Sequence, residues 1–250
     1  MSREASVEEI DLFLESTEFS GYQSVPLPRG RRIPGRDRTT AIVSLLREVG
    51  VEGKTVLDVG TYYGALPAAA SGLGAISIGL EPERCRYDIA AKAATLAGGR
   101  WEVRYGSVEE LDSNEKFECV FLLNVIHHID TPVAFLRKLA LHCTDRLVVE
   151  FPLAHDLAAT RYLFDRSGSG HPTPIAASLA LGGSALMWLA SLFLPVVLLG
   201  NRPYHRRWHF SARAFRTLSE QMIDGVESVT VKRSSWSRRR AVAVLKMSRP

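Results

Sequence analysis

Apolar positions along the chain fall into two rhythms. Mostly apolar runs at residues 56–59, 75–80, 117–123 and 146–151, each closed by glycine, proline or a polar residue, read as strands covered on both faces, as in a parallel sheet. Residues 101–105, 226–232 and 240–247 add three further strands. Between them lie segments with helical character. Residues 4–19 set Ile10, Leu12, Phe13 and Leu14 among acids. Thr39 or Thr40 opens a helix that runs to Val49. Residues 66–71 are Ala-rich, residues 82–96 are stopped by Gly98-Gly99, and residues 133–142 follow Thr131-Pro132. Residues 211–222 are led by Ser211 as N-cap. Strand and helix alternate through most of the chain, which predicts an α/β fold with helices on both faces of a mostly parallel sheet.

The chemistry concentrates where the first central strand ends. Val56-Leu57-Asp58-Val59-Gly60-Thr61-Tyr62-Tyr63-Gly64 carries an acid into a turn with two glycines, which permit positive φ and close backbone approach over the turn. The free amides and dipole of the helix that follows favour a carboxylate or phosphate. Glu81 ends the second strand at the spacing, about 20 residues on, where a nucleotide-binding βαβ unit places its ribose-hydroxyl acceptor. Gly60-Thr61-Tyr62-Tyr63-Gly64-Ala65 lacks the full dinucleotide pattern, which argues against an oxidoreductase.

Asp58-Val59-Gly60 with Gly64 and Glu81 resembles the first motif and acidic loop of class I S-adenosylmethionine-dependent methyltransferases, with Tyr62 where many members have the middle glycine. The resemblance implies a Rossmann-like, mostly parallel seven-stranded sheet, closed by an antiparallel pair at 226–232 and 240–247. It implies S-adenosyl-L-methionine as cofactor, held by Asp58, Gly60, Thr61, Gly64 and Glu81, with Ser107 and Val108 about the adenine. Ligands of open α/β sheets gather beyond the carboxyl ends of strands, so Asn124 and His127 are expected to face the site. Asn124 is then a cofactor contact and His127 the base that takes the acceptor's proton, with His128, His155 and His209 behind it. Packing of His127 under the next helix is the alternative. His205 and His209 have a helical metal spacing but no acid or cysteine nearby, so no metal site is expected.

Several segments narrow the likeness. Tyr22-Gln23-Ser24-Val25, Val125-Ile126-His127-His128, Val148-Val149-Glu150 and Gly200-Asn201-Arg202-Pro203-Tyr204 running into Trp208-His209-Phe210-Ser211 are similar to the bacterial tRNA wobble-uridine carboxymethyl-transferring enzymes. Those enzymes use a carboxylated relative of the cofactor, and their shortened relatives act on small molecules. By this likeness Tyr204, Arg206 or Arg207 reaches over cofactor or substrate. The chain lacks that family's long helical N-terminal extension.

Composition changes the picture in three places. At 250 residues and 46% hydrophobic the chain can bury a full core, which suits one α/β domain with an insertion. The expected division is a cap and basic loop at 1–40, the methyltransferase domain at 41–152 and 211–250, and an insertion at 153–210. A net charge of +4 admits RNA, an anionic membrane surface or an acidic small molecule as partner. Arg29, Arg31, Arg32, Arg36 and Arg38 either bind phosphate or carboxylate or form a solvated loop. Cys85, Cys119 and Cys143 make no framework, and the N-terminus has no apolar signal region, so a cytoplasmic protein is expected.

Residues 174–201 hold no charge and are long enough to span a bilayer. Strands of one sheet flank them, so the chain must return to its starting side. Gly182-Gly183 and Pro195 supply bends for an apolar helical hairpin that meets lipid or closes over a small, hydrophobic methyl acceptor; a buried core or dimer pair is the alternative. Oligomeric state stays open, as does a cofactor-binding partner protein without catalysis.

Overall fold

The computed structural model describes residues 3–154, 189, 195–202 and 205–248. Its central feature is a seven-stranded sheet in the order β10-β11-β7-β6-β3-β4-β5. The strands are β3 Thr55–Val59, β4 Ile76–Glu81, β5 Glu102–Tyr105, β6 Phe117–Leu122, β7 Cys143–Pro152, β10 Val226–Arg233 and β11 Arg240–Met247. β3 pairs in parallel with β4 and β6, β4 with β5, while β10 and β11 are antiparallel. The α/β class is the one expected from the alternation of runs, and the seven-stranded order with its antiparallel pair is the one the resemblance implies. The chain packs as two compact units, Met1–Phe121 with Leu141–Arg146, and Leu122–Ala140 with Leu147–Pro250.

In the first unit β3 is buried along Val56, Leu57 and Val59, which leaves Asp58 as a carboxyl inside an apolar strand. α3 Ala65–Gly72 follows the loop after β3, and its small side chains allow close packing on the sheet. α4 Arg84–Leu96 buries Ala90, Ala93, Ala94 and Leu96. α1 Val7–Ser16 is shorter than the 4–19 segment expected. It begins at a capping box in which Ser6 and Glu9 satisfy each other's amides, and it buries Ile10 and Phe13.

α2 Thr39–Val49 ends at Gly50 in the left-handed region, φ 74°. Its start corrects an expectation: neither Thr39 nor Thr40 caps it. Arg38 holds the cap position, and the Asp37 carboxylate accepts the Thr39 N–H at 2.9 Å. The hydrogen bonds from Thr39, with that from Arg32, hold the Asp37 carboxyl down at about 2. Between α1 and α2, β1 Val25–Pro26 pairs antiparallel with β2 Arg32–Ile33 inside the arginine-rich stretch.

In the second unit Phe151, Phe210 and Phe215 form an aromatic core. Phe151 stacks on Phe215 at 4.1 Å, and Phe210 meets both edge-on at 5.9 and 5.4 Å. α5 Pro132–Leu141 buries Leu136 and Leu139, and α6 Ala212–Met222 is capped by Ser211, whose hydroxyl accepts the Ala214 N–H. Glu150 is buried in β7, where it accepts the Ser234 hydroxyl at 3.0 Å and pairs with Arg240 at 3.7 Å. The two ends of the 153–210 stretch meet: the Ala154 N–H donates to the Phe210 carbonyl at 3.0 Å.

Most of the uncharged segment at 174–201 lies outside the described residues, so the lipid-facing hairpin or lid is not addressed by them. Its end is a correction. Val197–Arg202 is a strand, β8, paired antiparallel with β9 His205–Phe210, where a helical hairpin was expected to run to Leu199. Among the described residues no helix is long and apolar enough to cross a membrane.

Candidate functional site

The first unit gathers Asp58, Gly60, Thr61, Gly64 and Glu81 about one loop. Gly60 and Thr61 donate their N–H groups to the Leu80 carbonyl at 2.8 and 3.1 Å, which binds the loop to the end of β4. Gly60, Tyr62 and Gly64 all have positive φ, 76°, 60° and 89°. Two are glycines, for which this costs nothing; Tyr62 is strained there. The Glu81 carboxylate accepts the Tyr62 N–H at 2.8 Å and the Glu83 N–H at 3.1 Å. It thus ties the loop after β3 to the loop after β4. Each of its oxygens carries one of these bonds and keeps a second acceptor direction, enough for a pair of neighbouring hydroxyls.

Both carboxyls are buried, Asp58 at 5% exposure and Glu81 at 3%. Burial pushes the Asp58 carboxyl up to about 7; the Thr61 hydroxyl pulls against this and the charge of Glu81 adds to it. Glu81 is also raised by burial, against the two amides it holds and the charge of Arg86.

Gly64 has a different reason from the one expected. A Cβ there would lie 2.3 Å from the Trp101 ring, so the space above this glycine belongs to an indole of the chain itself, not to a ligand. Gly79, not singled out by sequence, makes room for Thr61, whose Cγ2 would be 2.7 Å from an added Cβ.

Sequence reasoning placed a cap at 1–40 but gave none of the contacts made to this loop. Tyr22 packs on Tyr62 at 4.8 Å, Tyr63 on Tyr62 at 4.3 Å, and the Arg86 and Arg38 guanidiniums lie over Tyr62 and Tyr22 at 4.7 and 5.3 Å. Ser20 hydrogen-bonds to the Tyr62 hydroxyl, and Gln23 accepts the Tyr63 N–H at 3.1 Å. Residues 20–23 supply these contacts together with Tyr63, Arg38 and Arg86. A tyrosine in place of a loop glycine was the available signal.

Of the five arginines, Arg31 donates two hydrogen bonds to Asp11 and Arg32 one to Asp37. Ser107 and Val108 stand at the turn Val108–Glu110, beyond β5. Ser107 and Glu110 close a capping box there, and Val108 is fully buried. The Gly106 N–H joins this end of β5 to the Glu81 carbonyl at 3.1 Å.

In the second unit Asn124 follows β6 with φ 61°, and the turn Ile126–His128 comes next. His127 is 2% exposed and its ring lies 4.0 Å from that of His128, which is exposed. β9 runs beside this turn. Arg206 and Arg207 belong to the backbone of β9, but their side chains, and Tyr204 altogether, lie outside the described residues. His205 and His209 sit on a strand, not a helix, and no metal-binding cluster occurs among the described residues.

Residues 35–221 match a family model described as a methyltransferase domain. Over 89 residues the chain is 34% identical to the ubiquinone biosynthesis O-methyltransferase of Azorhizobium caulinodans, 35% of either chain. The chain thus spans about a third of the length of the curated relatives it matches. Among solved structures, the N-terminal domain of EvdMO1 in the presence of SAH and D-fucose aligns with a TM-score of 0.62 at 16% identity, over 99% of this chain and 98% of that one. The 1,6-didemethyltoxoflavin-N1-methyltransferase of Burkholderia thailandensis aligns with a TM-score of 0.56 at 16% identity, over 84% and 77%. At such identities these structures speak to the fold.

Proposed function

Because the chain belongs to the methyltransferase-domain family matched over residues 35–221, we propose that it moves the methyl group of S-adenosylmethionine to an oxygen or nitrogen of a small, hydrophobic acceptor. One observation carries the reading: two buried carboxyls, Asp58 and Glu81, at the ends of adjacent parallel strands, with Glu81 holding the turn between them in a left-handed conformation. The remaining acceptor directions of Glu81 suit the two ribose hydroxyls, and the buried Asp58 suits the cationic methionine end. Gly60, Thr61 and Gly64 shape the loop, Ser107 and Val108 border the adenine, and Asn124 is a further candidate for cofactor binding.

The donor brings an electrophilic methyl on a sulfonium and leaves as a neutral thioether. The protein's part is alignment, worth up to about 7–11 kcal/mol, and acceptance of the nucleophile's proton. His127 takes that proton, and Tyr204, Arg206 and Arg207 contact the acceptor. The name of the curated relatives, ubiquinone biosynthesis O-methyltransferase, supports an oxygen acceptor on an apolar molecule.

A tRNA acceptor is the second reading, supported by the likeness at residues 200–211. Arg31 and Arg32 of the basic loop are already engaged by Asp11 and Asp37, which leaves fewer cations for a phosphate backbone. The test is calorimetric titration with S-adenosylhomocysteine, followed by labelled methyl transfer to small-molecule extracts and to unmodified tRNA. A flat titration sinks the cofactor assignment; label in tRNA alone sinks the small-molecule acceptor.

A further inference from the structure

A cavity of about 390 Å³ opens between α1 and α4, both within the first unit. Small-molecule sites span roughly 300–1,000 Å³, so this one is large enough for a ligand. Ala5, Phe13 and Leu96 give it an apolar floor and are themselves buried. The Ala5 N–H donates to the Leu96 carbonyl at 3.1 Å and Arg100 pairs with Glu4 at 2.6 Å, which fastens the start of the chain to the end of α4. Leu12, which pattern groups with Ile10 and Phe13, is instead 67% exposed and lines this cavity. Arg3, Glu9 and Lys92 are its charged lining residues. The Glu9 carboxylate accepts the Ser6 N–H at 2.6 Å and pairs with Arg3 at 3.5 Å, whereas Lys92 has no hydrogen bond or ion pair among the described residues. Lys92 stands eight residues, and so roughly 12 Å along the helix, from Arg84, where α4 leaves the Glu81 loop. The cavity is therefore set apart from the cofactor loop.

We propose that this cavity binds a monocarboxylate with an apolar chain, the chain lying on Ala5, Phe13 and Leu96 against Leu12 and the carboxylate meeting the Lys92 ammonium. Charge selects the head group. Arg3 and Glu9 offset each other, which leaves one cation, and one cation matches a carboxylate better than it matches the nearly doubled charge of a phosphate monoester. A lysine stem lies along apolar surface with its ammonium in water, so the head group keeps part of its hydration and avoids the cost of a fully buried charge pair. A chain that covers Leu12 withdraws an exposed leucine from water, a gain that grows with each methylene buried. One wall of the cavity, α1, precedes the matched domain that begins at residue 35, and the assignment does not depend on the methyl-transfer reading.

The experiment titrates the isotope-labelled, unliganded full chain with octanoate, butanoate and octylammonium, following backbone amide resonances. Octanoate is expected to move the amides of Ala5, Leu12, Lys92 and Leu96. It should bind about tenfold or more tightly than butanoate, since each methylene buried is worth roughly two- to fourfold, and about fivefold more tightly than octylammonium. Lys92→Glu and Leu12→Asp change exposed side chains, and each is expected to weaken octanoate about tenfold with the fold kept. No saturable octanoate binding in the millimolar range overturns the proposal. Equal binding of octylammonium, or unchanged octanoate affinity in either variant, overturns it too. If a variant does not fold, the wild-type amide map decides: octanoate shifts that miss all four residues refute the site. A flat S-adenosylhomocysteine titration sinks the methyl-transfer reading alone, because the octanoate titration needs no cofactor.

Discussion

The Glu81 carboxylate accepts the backbone N–H of Tyr62 at 2.8 Å, so the acid that ends β4 holds a strained residue of the loop after β3. One side chain therefore stands between the conformation of the loop and the hydroxyls of a ligand.

Replacing Glu81 by alanine removes buried acceptors from two amides. The cost expected from bonds to a charged group is roughly 2–4 kcal/mol of stability, with S-adenosylhomocysteine affinity down tenfold or more. Glu81→Gln keeps one acceptor oxygen and should fall between. Urea unfolding with calorimetry measures both; unchanged binding in Glu81→Ala removes Glu81 from the site.

Tyr62 separates strain from packing. At φ 60° a non-glycine residue costs about 1–2 kcal/mol, which its contacts with Tyr22, Tyr63 and Arg86 offset. Tyr62→Ala should lose the contacts and keep the strain, whereas Tyr62→Gly loses both. Glycine is therefore expected to be more stable than alanine by about 1 kcal/mol, both below wild type. Equal unfolding midpoints for the two would show that φ at this position carries no cost.

Asp58 predicts a pH dependence with a definite sign. Its folded value is raised from 3.8 to about 7, so the folded chain binds this proton more tightly than the unfolded one. Stability from this group is full below about 4 and is lost as pH rises towards 7, by a total on the order of 4 kcal/mol. Asp58→Asn should flatten the profile and exceed wild type in stability at pH 8. Parallel urea midpoints of the two proteins from pH 5 to pH 8 would refute it. A cationic ligand that draws Asp58 into its charged form should bind more tightly at pH 8 than at pH 6, more so for S-adenosylmethionine than for S-adenosylhomocysteine.

His127→Asn tests the base. Loss of a positioned proton acceptor is expected to lower single-turnover methyl transfer about 10²–10⁴-fold, with S-adenosylhomocysteine affinity unchanged. Wild-type turnover in this variant would make the buried imidazole a packing residue of the Ile126–His128 turn.

Local pattern carried much of this molecule. The buried run at Val56–Leu57, the acid at its end and the second acid at Glu81 all lie within one βαβ unit, where side-chain period and chain length leave little freedom. The strands β3, β4, β5, β6, β7, β10 and β11 were legible because each apolar run is read from neighbouring positions, and so was the sheet class. The cap at Ser211 was legible because capping is a contact between residues three apart. The start of α2 escaped because Asp37, two residues before Thr39, accepts the amide at the helix start, the part expected of either threonine, and local pattern alone does not rank the three.

A nearly apolar stretch has few polar positions from which to read a period, so residues 197–202 gave no sign that they would pair with 205–210. Gly64 looked like room for a ligand until the Trp101 ring, 37 positions on, filled it. The sequence by itself determined the α/β class, the two strand-end acids and the odd tyrosine in the loop, because each depends on neighbours a turn or a strand away. Tertiary structure alone decided what that tyrosine rests on, which arginines are already paired and which side chains line the cavity between α1 and α4, because those contacts join residues that only folding brings together.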